Sequence, residues 1–402
     1  MKSCLAERTA TRRTIMAYKL LKASTYYPSA LQWYYNSRIS IGNEPYERQH
    51  RDLMEVYLGW GDSWQRHLQA SGHFRVEEIV VNAEPLQKKW AAERGLRYDP
   101  ENWAADIFFA QCDEFKPDII FAHSHDVLLR WWSDARARAL DDCFVIGYDG
   151  TAKHLPAFAE RCDLMLTCLK RSVAHYEGDG LKSIYFPYGF EDAMVSRLTP
   201  HQFGEVAASF VGGIALNSGH VCRAIDLAEL SHHLPINYWL SQVPTNDKKL
   251  LRLIAAVVWS RNWQAMYRFS SVIPAIRRLV QVNNGELYGI DMLSALAASK
   301  LTLNMHNDAA GNEAGNIRLF EATGVGACLL TDWKPNLGEF FEPDSEIVTF
   351  KSIPEAVDKA NYLLAHDTER MAIAQRGQAR TRREHSTKAR IEEVASLLRG
   401  IV

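Results

Sequence analysis

Leu301–Trp333 reads LTLNMHNDAAGNEAGNIRLFEATGVGACLLTDW, and this run decides the fold. A strand-length apolar piece, Leu301–Met305, passes into a Gly/Asn-rich loop, then a helix-length piece at Ile317–Thr323, then a second apolar run at Ala327–Thr331. Strand, loop, helix and strand in that order form the repeating unit of a parallel α/β sheet. Two glutamates, Glu313 in the loop and Glu321 in the helix, stand eight residues apart. Such a spacing arises readily by chance among 48 acidic residues. Placement is the stronger signal, because open α/β sheets bind ligands at the carboxyl ends of their strands.

The same rhythm runs outward in both directions. Upstream, strands are expected at Tyr18–Ser24, Val76–Val81, Asp118–Ala122, Cys143–Tyr148, Leu164–Cys168 and Ser183–Phe186, with helices such as Asn102–Phe115 and Val127–Leu140 between them. Lys116-Pro117-Asp118 stops a helix directly before a strand, since proline disfavours helical backbone in the residue preceding it. After a polar stretch near Glu191–Glu205, further strands are expected at Ala207–Val211, Ile236–Leu240 and Glu346–Phe350, and helices at Leu293–Ser299, Ile353–Ala365 and Glu369–Glu384. The chain of 402 residues is too long for one compact core. It divides into a tail at 1–15, a Rossmann-like domain at 16–195 and a second at 196–402.

Composition excludes several classes. Hydrophobic content of 47%, 23% charged residues and a net charge of −2 describe a globular enzyme and give no footprint for nucleic acid. Seven cysteines without a C-x-x-C pair argue against a disulfide framework and for a reducing, cytoplasmic setting. No apolar run reaches membrane-spanning length. Residues 1–15 are basic without an apolar stretch, which reads as a disordered tail or a start at Met16, with a transit peptide as the alternative. The segment 247–280 interleaves seven Lys/Arg with apolar residues and Trp259. It is either a solvated helical excursion or a basic amphipathic surface peripheral to the inner face of a membrane.

Residue chemistry suggests a nucleotide site in the second half. A helical carboxylate such as Glu321 can accept both hydroxyls of a ribose, amides near Gly315 and Asn316 can meet a diphosphate, and Arg318 can add a charge-assisted bond. The alternatives are a surface Glu313, a helix-terminal Glu321 and an Arg318 paired with a neighbouring acid. Gly212 and Gly213 close a strand and permit close backbone approach, or form an ordinary turn. Tyr288 is placed either to stack on a base or to pack in the interior.

Asn316-Ile-Arg318-Leu-Phe320-Glu321-Ala-Thr-Gly324-Val-Gly326, followed by Leu329-Leu330-Thr331-Asp332, resembles the signature of the CgeB-like (spore maturation protein type) glycosyltransferases. Phe340-Phe341-Glu342-Pro343, Glu346-Ile-Val, Glu369-Arg370, Gly377, Arg380-Thr381, Glu384-His385 and Arg390 continue the likeness, as does Pro187-x-Gly189-Phe190. The resemblance implies a GT-B fold, two Rossmann-like domains facing each other across a cleft. It implies a nucleotide-sugar donor on the C-terminal domain and an acceptor on the N-terminal one. His123-x-His125 could suggest a metal, but with no third ligand at a recognisable spacing no metal or other cofactor is expected. Carried over, Glu321 holds the ribose and Glu313 touches the donor sugar or phosphate. Retaining enzymes with this Glu spacing also present an Arg and a Lys to the diphosphate. Arg223 substitutes for the Arg, and no Lys is placed.

Acceptor candidates stand at N-terminal strand ends: Tyr26 and Tyr27, then His123, His125 and Asp126, then Asp149. An inverting reaction needs a base, for which His123, His125, Asp126 or Asp149 would serve, whereas a retaining one lets the departing phosphate take the proton. A histidine at a strand end is also often structural. The expected activity is transfer to a glycan or lipid-linked glycan in bacterial capsule or O-antigen synthesis. The alternatives are a nucleotide-sugar epimerase, a protein-modifying transferase or a non-catalytic nucleotide-sugar binding partner.

Overall fold

The computed structural model describes residues 17–123, 131, 135–150, 155–215, 220–243, 263–307 and 311–401. The expected tail at 1–15, most of Val127–Leu140, residues 247–262, His125 and Asp126 lie outside them.

All eleven expected strands form. The N-terminal sheet is parallel throughout in the order β2-β1-β3-β4-β5-β6: β1 Tyr18–Ser24, β2 Phe74–Val80, β3 Ile119–Ala122, β4 Phe144–Asp149, β5 Leu164–Thr167 and β6 Ser183–Tyr185. The C-terminal sheet is also parallel, ordered β11-β10-β9-β7-β8: β7 Val206–Gly213, β8 Ile236–Ser241, β9 Ser299–Asn304, β10 Cys328–Asp332 and β11 Val348–Phe350. Helices cover both faces of the N-terminal sheet, which is why β3 is buried along its whole length and apolar without alternation.

Two strand-like crossings join the domains and lie side by side. The Phe190 amide donates to the His385 carbonyl at 2.8 Å, and the Thr387 amide donates to the Phe190 carbonyl at 2.9 Å. Gly189 has no room for a side chain, because a Cβ there would sit 2.8 Å from the Thr387 nitrogen and 2.9 Å from the His385 oxygen. The chain then enters the helix Thr387–Ile401, whose Ile391, Val394, Ala395 and Leu398 pack with Trp60, Trp64 and Leu68. This last helix, counted by sequence with the 196–402 unit, therefore belongs to the N-terminal core.

The described half of the basic excursion is the helix Trp263–Val282. Its Val272, Ala275, Ile276 and Leu279 follow helical spacing into the C-terminal core, and Arg278 donates to Ser231. That apolar stripe faces the protein's own interior. Among the described residues no helix is long and apolar enough to cross a membrane.

Candidate functional site

The carboxyl edge of the C-terminal sheet is assembled by side-chain amides. Register pairs Asn304 of β9 with Thr331 of β10. Asn304 donates to Thr331 Oγ1 at 2.9 Å and exchanges hydrogen bonds with Asn316 across the loop, at 2.6 and 3.3 Å. Asn336 holds both the amide and the carbonyl of Ala314, at 2.7 and 2.9 Å, and Lys334 donates to the Gly311 carbonyl. The loop carrying Glu313 is thus fixed from both sides. Asn316, expected at the donor, uses its amide to staple that loop.

The following helix, Arg318–Gly324, carries the second glutamate. Glu321 is only 6% exposed and pairs with Arg318 Nη1 at 2.7 Å. Burial raises its carboxyl above the ordinary value, against the opposing pull of Arg318. Arg318 Nε is buried with no hydrogen-bond partner. Two groups expected to meet the donor therefore hold each other, with hydrogen-bonding capacity left on Arg318. The tail motifs frame this helix. Thr323 and Thr381 share a 2.6 Å hydroxyl contact, Gln378 donates to the Gly324 carbonyl, and Gly377 lets its helix pass where a Cβ would collide with the Glu346 carbonyl oxygen.

Other expected donor residues fall on the same edge. A Cβ at Gly212 would lie 2.5 Å from Arg223 Nη2, so this glycine makes room for the guanidinium, which stands 5.0 Å from the Phe210 ring centroid. Gly213 ends β7 beside Ser241 of β8. Tyr288 is half-buried between the domains, its hydroxyl donating to Glu286 at 2.7 Å and accepting from Ser29 at 2.8 Å, with Trp33 at 5.8 Å. Its hydroxyl and ring are engaged in an interdomain contact.

The N-terminal edge is different. His123 lies against Trp60 at 4.6 Å and Tyr148 at 5.3 Å, and its Nδ1 is 3.3 Å from Ser24 Oγ. Burial, with Lys22 nearby, lowers its pKa to about 3, so the imidazole is neutral and a weak base. Asp149 is 1% exposed and accepts from Tyr176 at 2.8 Å, inside the domain rather than open to a cleft. Tyr26 is buried, pinned by Asn82 through its backbone, with its hydroxyl toward Met54 Sδ. The expected Tyr26–Tyr27 pair divides, and Tyr27, 69% exposed, is the open member.

The two edges meet. A Cβ on Gly315 would be 3.1 Å from the Cys168 carbonyl just past β5, and Lys170 reaches Glu339 at 2.7 Å. Near the crossing, Glu191 bonds His67 at 2.8 Å and Arg66 at 3.1 Å. Burial alone would raise its carboxyl, but His67, Arg66 and Ser63 overcome this and bring it down to about 2. Tyr57 is buried beside it and feels both Glu191 and Glu321.

Sequence reading missed one pair at the C-terminal edge. His306 is 6% exposed, its Nδ1 donating to Asp332 at 2.7 Å, while its Nε2 is buried with no hydrogen-bond partner. Lys334 lies 3.4 Å from the same aspartate, so a lysine does stand at this edge. Strand-end position was the available signal for all three. Among the described residues no three His, Cys, Asp or Glu side chains converge as a metal site.

Residues 239–396 match the family described as "Glycosyl transferase-like". The match marks a glycosyltransferase-like domain within the C-terminal half, and the two facing Rossmann-like sheets together give the chain the GT-B fold. Solved structures agree on the fold at low identity. A glycosyltransferase from Rickettsia africae aligns over 96% of this chain and 98% of its own, with a TM-score of 0.55 and 12% identity. Sucrose-phosphate synthase from Thermosynechococcus elongatus aligns over 96% and 99%, with a TM-score of 0.55 and 11% identity. Anabaena Alr3699/HepE, solved in complex with UDP and glucose, aligns over 95% and 100%, with a TM-score of 0.53 and 12% identity. No curated protein sequence matches the chain significantly.

Proposed function

We propose that the chain moves a sugar from a nucleotide-sugar donor, bound at the Glu313–Glu321 edge, to a glycan or lipid-linked glycan acceptor in bacterial surface-polysaccharide assembly. The motifs that resemble the CgeB-like glycosyltransferases support this reading. One observation carries it: a loop fixed by amide pairs holds Glu313 where the C-terminal edge faces the end of β5, with the Arg318–Glu321 pair buried behind it. Glu321 would accept the ribose hydroxyls, Arg318 would turn toward the diphosphate, and Glu313 would contact the sugar. UDP and UDP-glucose complexes of Anabaena HepE, a protein of the same fold, favour a nucleotide-sugar as ligand.

Retention of configuration is part of the proposal. Of the candidate bases, the two in the described residues are poorly placed for proton abstraction: His123 is too weak and Asp149 is bonded inward. A departing phosphate oxygen that takes the acceptor proton needs neither.

A thermal-shift screen of nucleotide-sugars tests the reading, since a ligand that binds only the folded state raises its melting temperature. One donor should stabilise the wild type and not Glu321→Ala. Equal stabilisation of both proteins would refute the site, and conversion of the donor sugar without acceptor would identify an epimerase.

A further inference from the structure

A cavity of about 350 Å³ lies at the domain boundary. Its walls come from the helices Pro28–Ser37 and Tyr46–Glu55 on one side and Gly289–Ala297 on the other. Its volume falls at the lower end of the ~300–1,000 Å³ usual for small-ligand sites. Gly289 makes the junction possible. Its φ is +53°, a Cβ there would collide with the Val56 carbonyl, and the next amide, Ile290, donates to that carbonyl at 3.0 Å.

We propose that this cavity is a subsite for a neutral saccharide, an outer unit of the acceptor glycan; this rests on the glycan-acceptor reading above. The lining combines the three elements that sugars require. Trp33 offers an indole surface for the C–H face of a pyranose, with Val56 and Ile290 as further apolar wall. Asp52, Glu55 and Asp291 offer carboxylate acceptors for hydroxyls, and Arg38 and Arg197 offer fixed donors.

Several of these groups are already oriented. Arg38 Nε bonds Asp52 at 2.9 Å, Tyr34 donates to the same oxygen at 2.9 Å, and Arg197 donates to the Glu55 carbonyl at 3.2 Å. Asp291 is half-buried, and no hydrogen bond to its carboxylate occurs among the described residues. Burial raises that carboxyl against the pull of Arg38, as expected of an acceptor that lacks a donor.

Charge narrows the ligand class. Three carboxylates against two guanidinium groups disfavour an anion, so uronic-acid units and free phosphates fit poorly. The two guanidinium groups in turn disfavour a simple cation. An apolar molecule would bury the charged groups without partners. A polyhydroxylated neutral ring satisfies both kinds of group.

The position suits an acceptor unit. Val56 lines the cavity, while its neighbour Tyr57 is buried within the field of Glu321. The segment Val56–Tyr57 therefore borders the cavity with one residue and meets the field of Glu321 with the next, and a ligand seated in the cavity touches both domains.

The test is saturation-transfer NMR without donor, using neutral tetrasaccharides of glucose, galactose, mannose and N-acetylglucosamine alongside uronate-containing counterparts. A neutral saccharide should bind wild type, Trp33→Phe and Glu321→Ala. Affinity should fall at least tenfold in Trp33→Ala and in Asp291→Asn, each shown to be folded by an unchanged melting temperature. Three outcomes overturn the proposal: no neutral saccharide binds, binding survives both Trp33→Ala and Asp291→Asn, or Glu321→Ala abolishes it. A nucleotide-sugar thermal shift without saccharide binding would remove the subsite and leave the donor reading intact. Saccharide binding without that shift would keep the subsite and remove the donor reading.

Discussion

The carboxyl edges of the two sheets are built from similar parts and put to different uses. At the C-terminal edge Asn304, Asn316 and Asn336, with Lys334 at Gly311, staple a loop whose Glu313 makes no side-chain hydrogen bond among the described residues. At the N-terminal edge the titratable groups are themselves drawn into the fold. His123 is held neutral against Trp60 and Asp149 is bonded to Tyr176. The difference teaches that charge is kept ready where the donor is proposed to bind. The facing wall supplies shape and apolar surface, a division that suits a reaction whose proton leaves on the departing phosphate.

The largest effect expected from this contrast is acid lability from the sealed histidine. His123 has a folded pKa near 3 against an ordinary 6.5, so the unfolded chain binds the extra proton first. Stability from this group is complete above pH 6.5 and is lost as pH falls toward 3, on the order of 4 kcal/mol. Urea midpoints from pH 7 to 4 should fall less steeply for His123→Gln than for wild type, while kcat near neutral pH should change less than threefold. A large loss of kcat with an altered acid limb would break the comparison by making His123 a working base.

Next in size is Glu191, which ties the crossing to the N-terminal domain. Its folded pKa of about 2 lies below the ordinary 4.5, so its contribution is present above pH 4.5 and lost as pH falls toward 2. Glu191→Gln should lower stability at pH 7 by roughly 3 kcal/mol and remove that part of the pH dependence. An unchanged urea midpoint would contradict the geometry.

Asn304→Ala removes the centre of the amide staple. It should cost about 1–3 kcal/mol of stability through the unpaired Asn316, and weaken donor affinity about tenfold as Glu313 loses its place. Donor affinity equal to wild type would show that the loop does not depend on the staple. The smallest effect is expected at Tyr27→Ala, a few-fold rise in acceptor KM with donor affinity unchanged. A change in donor affinity would place Tyr27 on the wrong side of the cleft.

How far these contrasts were readable in the chain differs by element. Each strand carries its own signal, a buried apolar run bounded by turn residues, and all eleven appear near the expected bounds. The helix Thr387–Ile401 had a legible stripe at Ile391, Val394, Ala395 and Leu398, but nothing local says that it returns to the first domain. Gly189 announced the crossing only through the family likeness. Its reason is the backbone of His385 and Thr387, nearly two hundred positions away.

The site shows the same limit. Glu313 and Glu321 were readable because a loop and a helix of one α/β unit carry both. His306 and Asp332 were not, since their contact depends on the register of β9 beside β10. The side-chain staple of Asn316 was not readable either, because its partner, Asn304, lies on the preceding strand. Tyr26 and Tyr27 are adjacent in sequence, and only packing against Met54 and Asn82 tells the buried one from the open one.

The central claim is that the donor is held by the C-terminal edge and not by the N-terminal one. Calorimetric titration of the stabilising nucleotide-sugar into wild type, Glu321→Ala and His123→Gln tests it most directly. The account predicts at least a hundredfold loss of affinity in Glu321→Ala and an affinity within threefold of wild type in His123→Gln. Undiminished binding by Glu321→Ala, or loss of binding in His123→Gln alone, would contradict it.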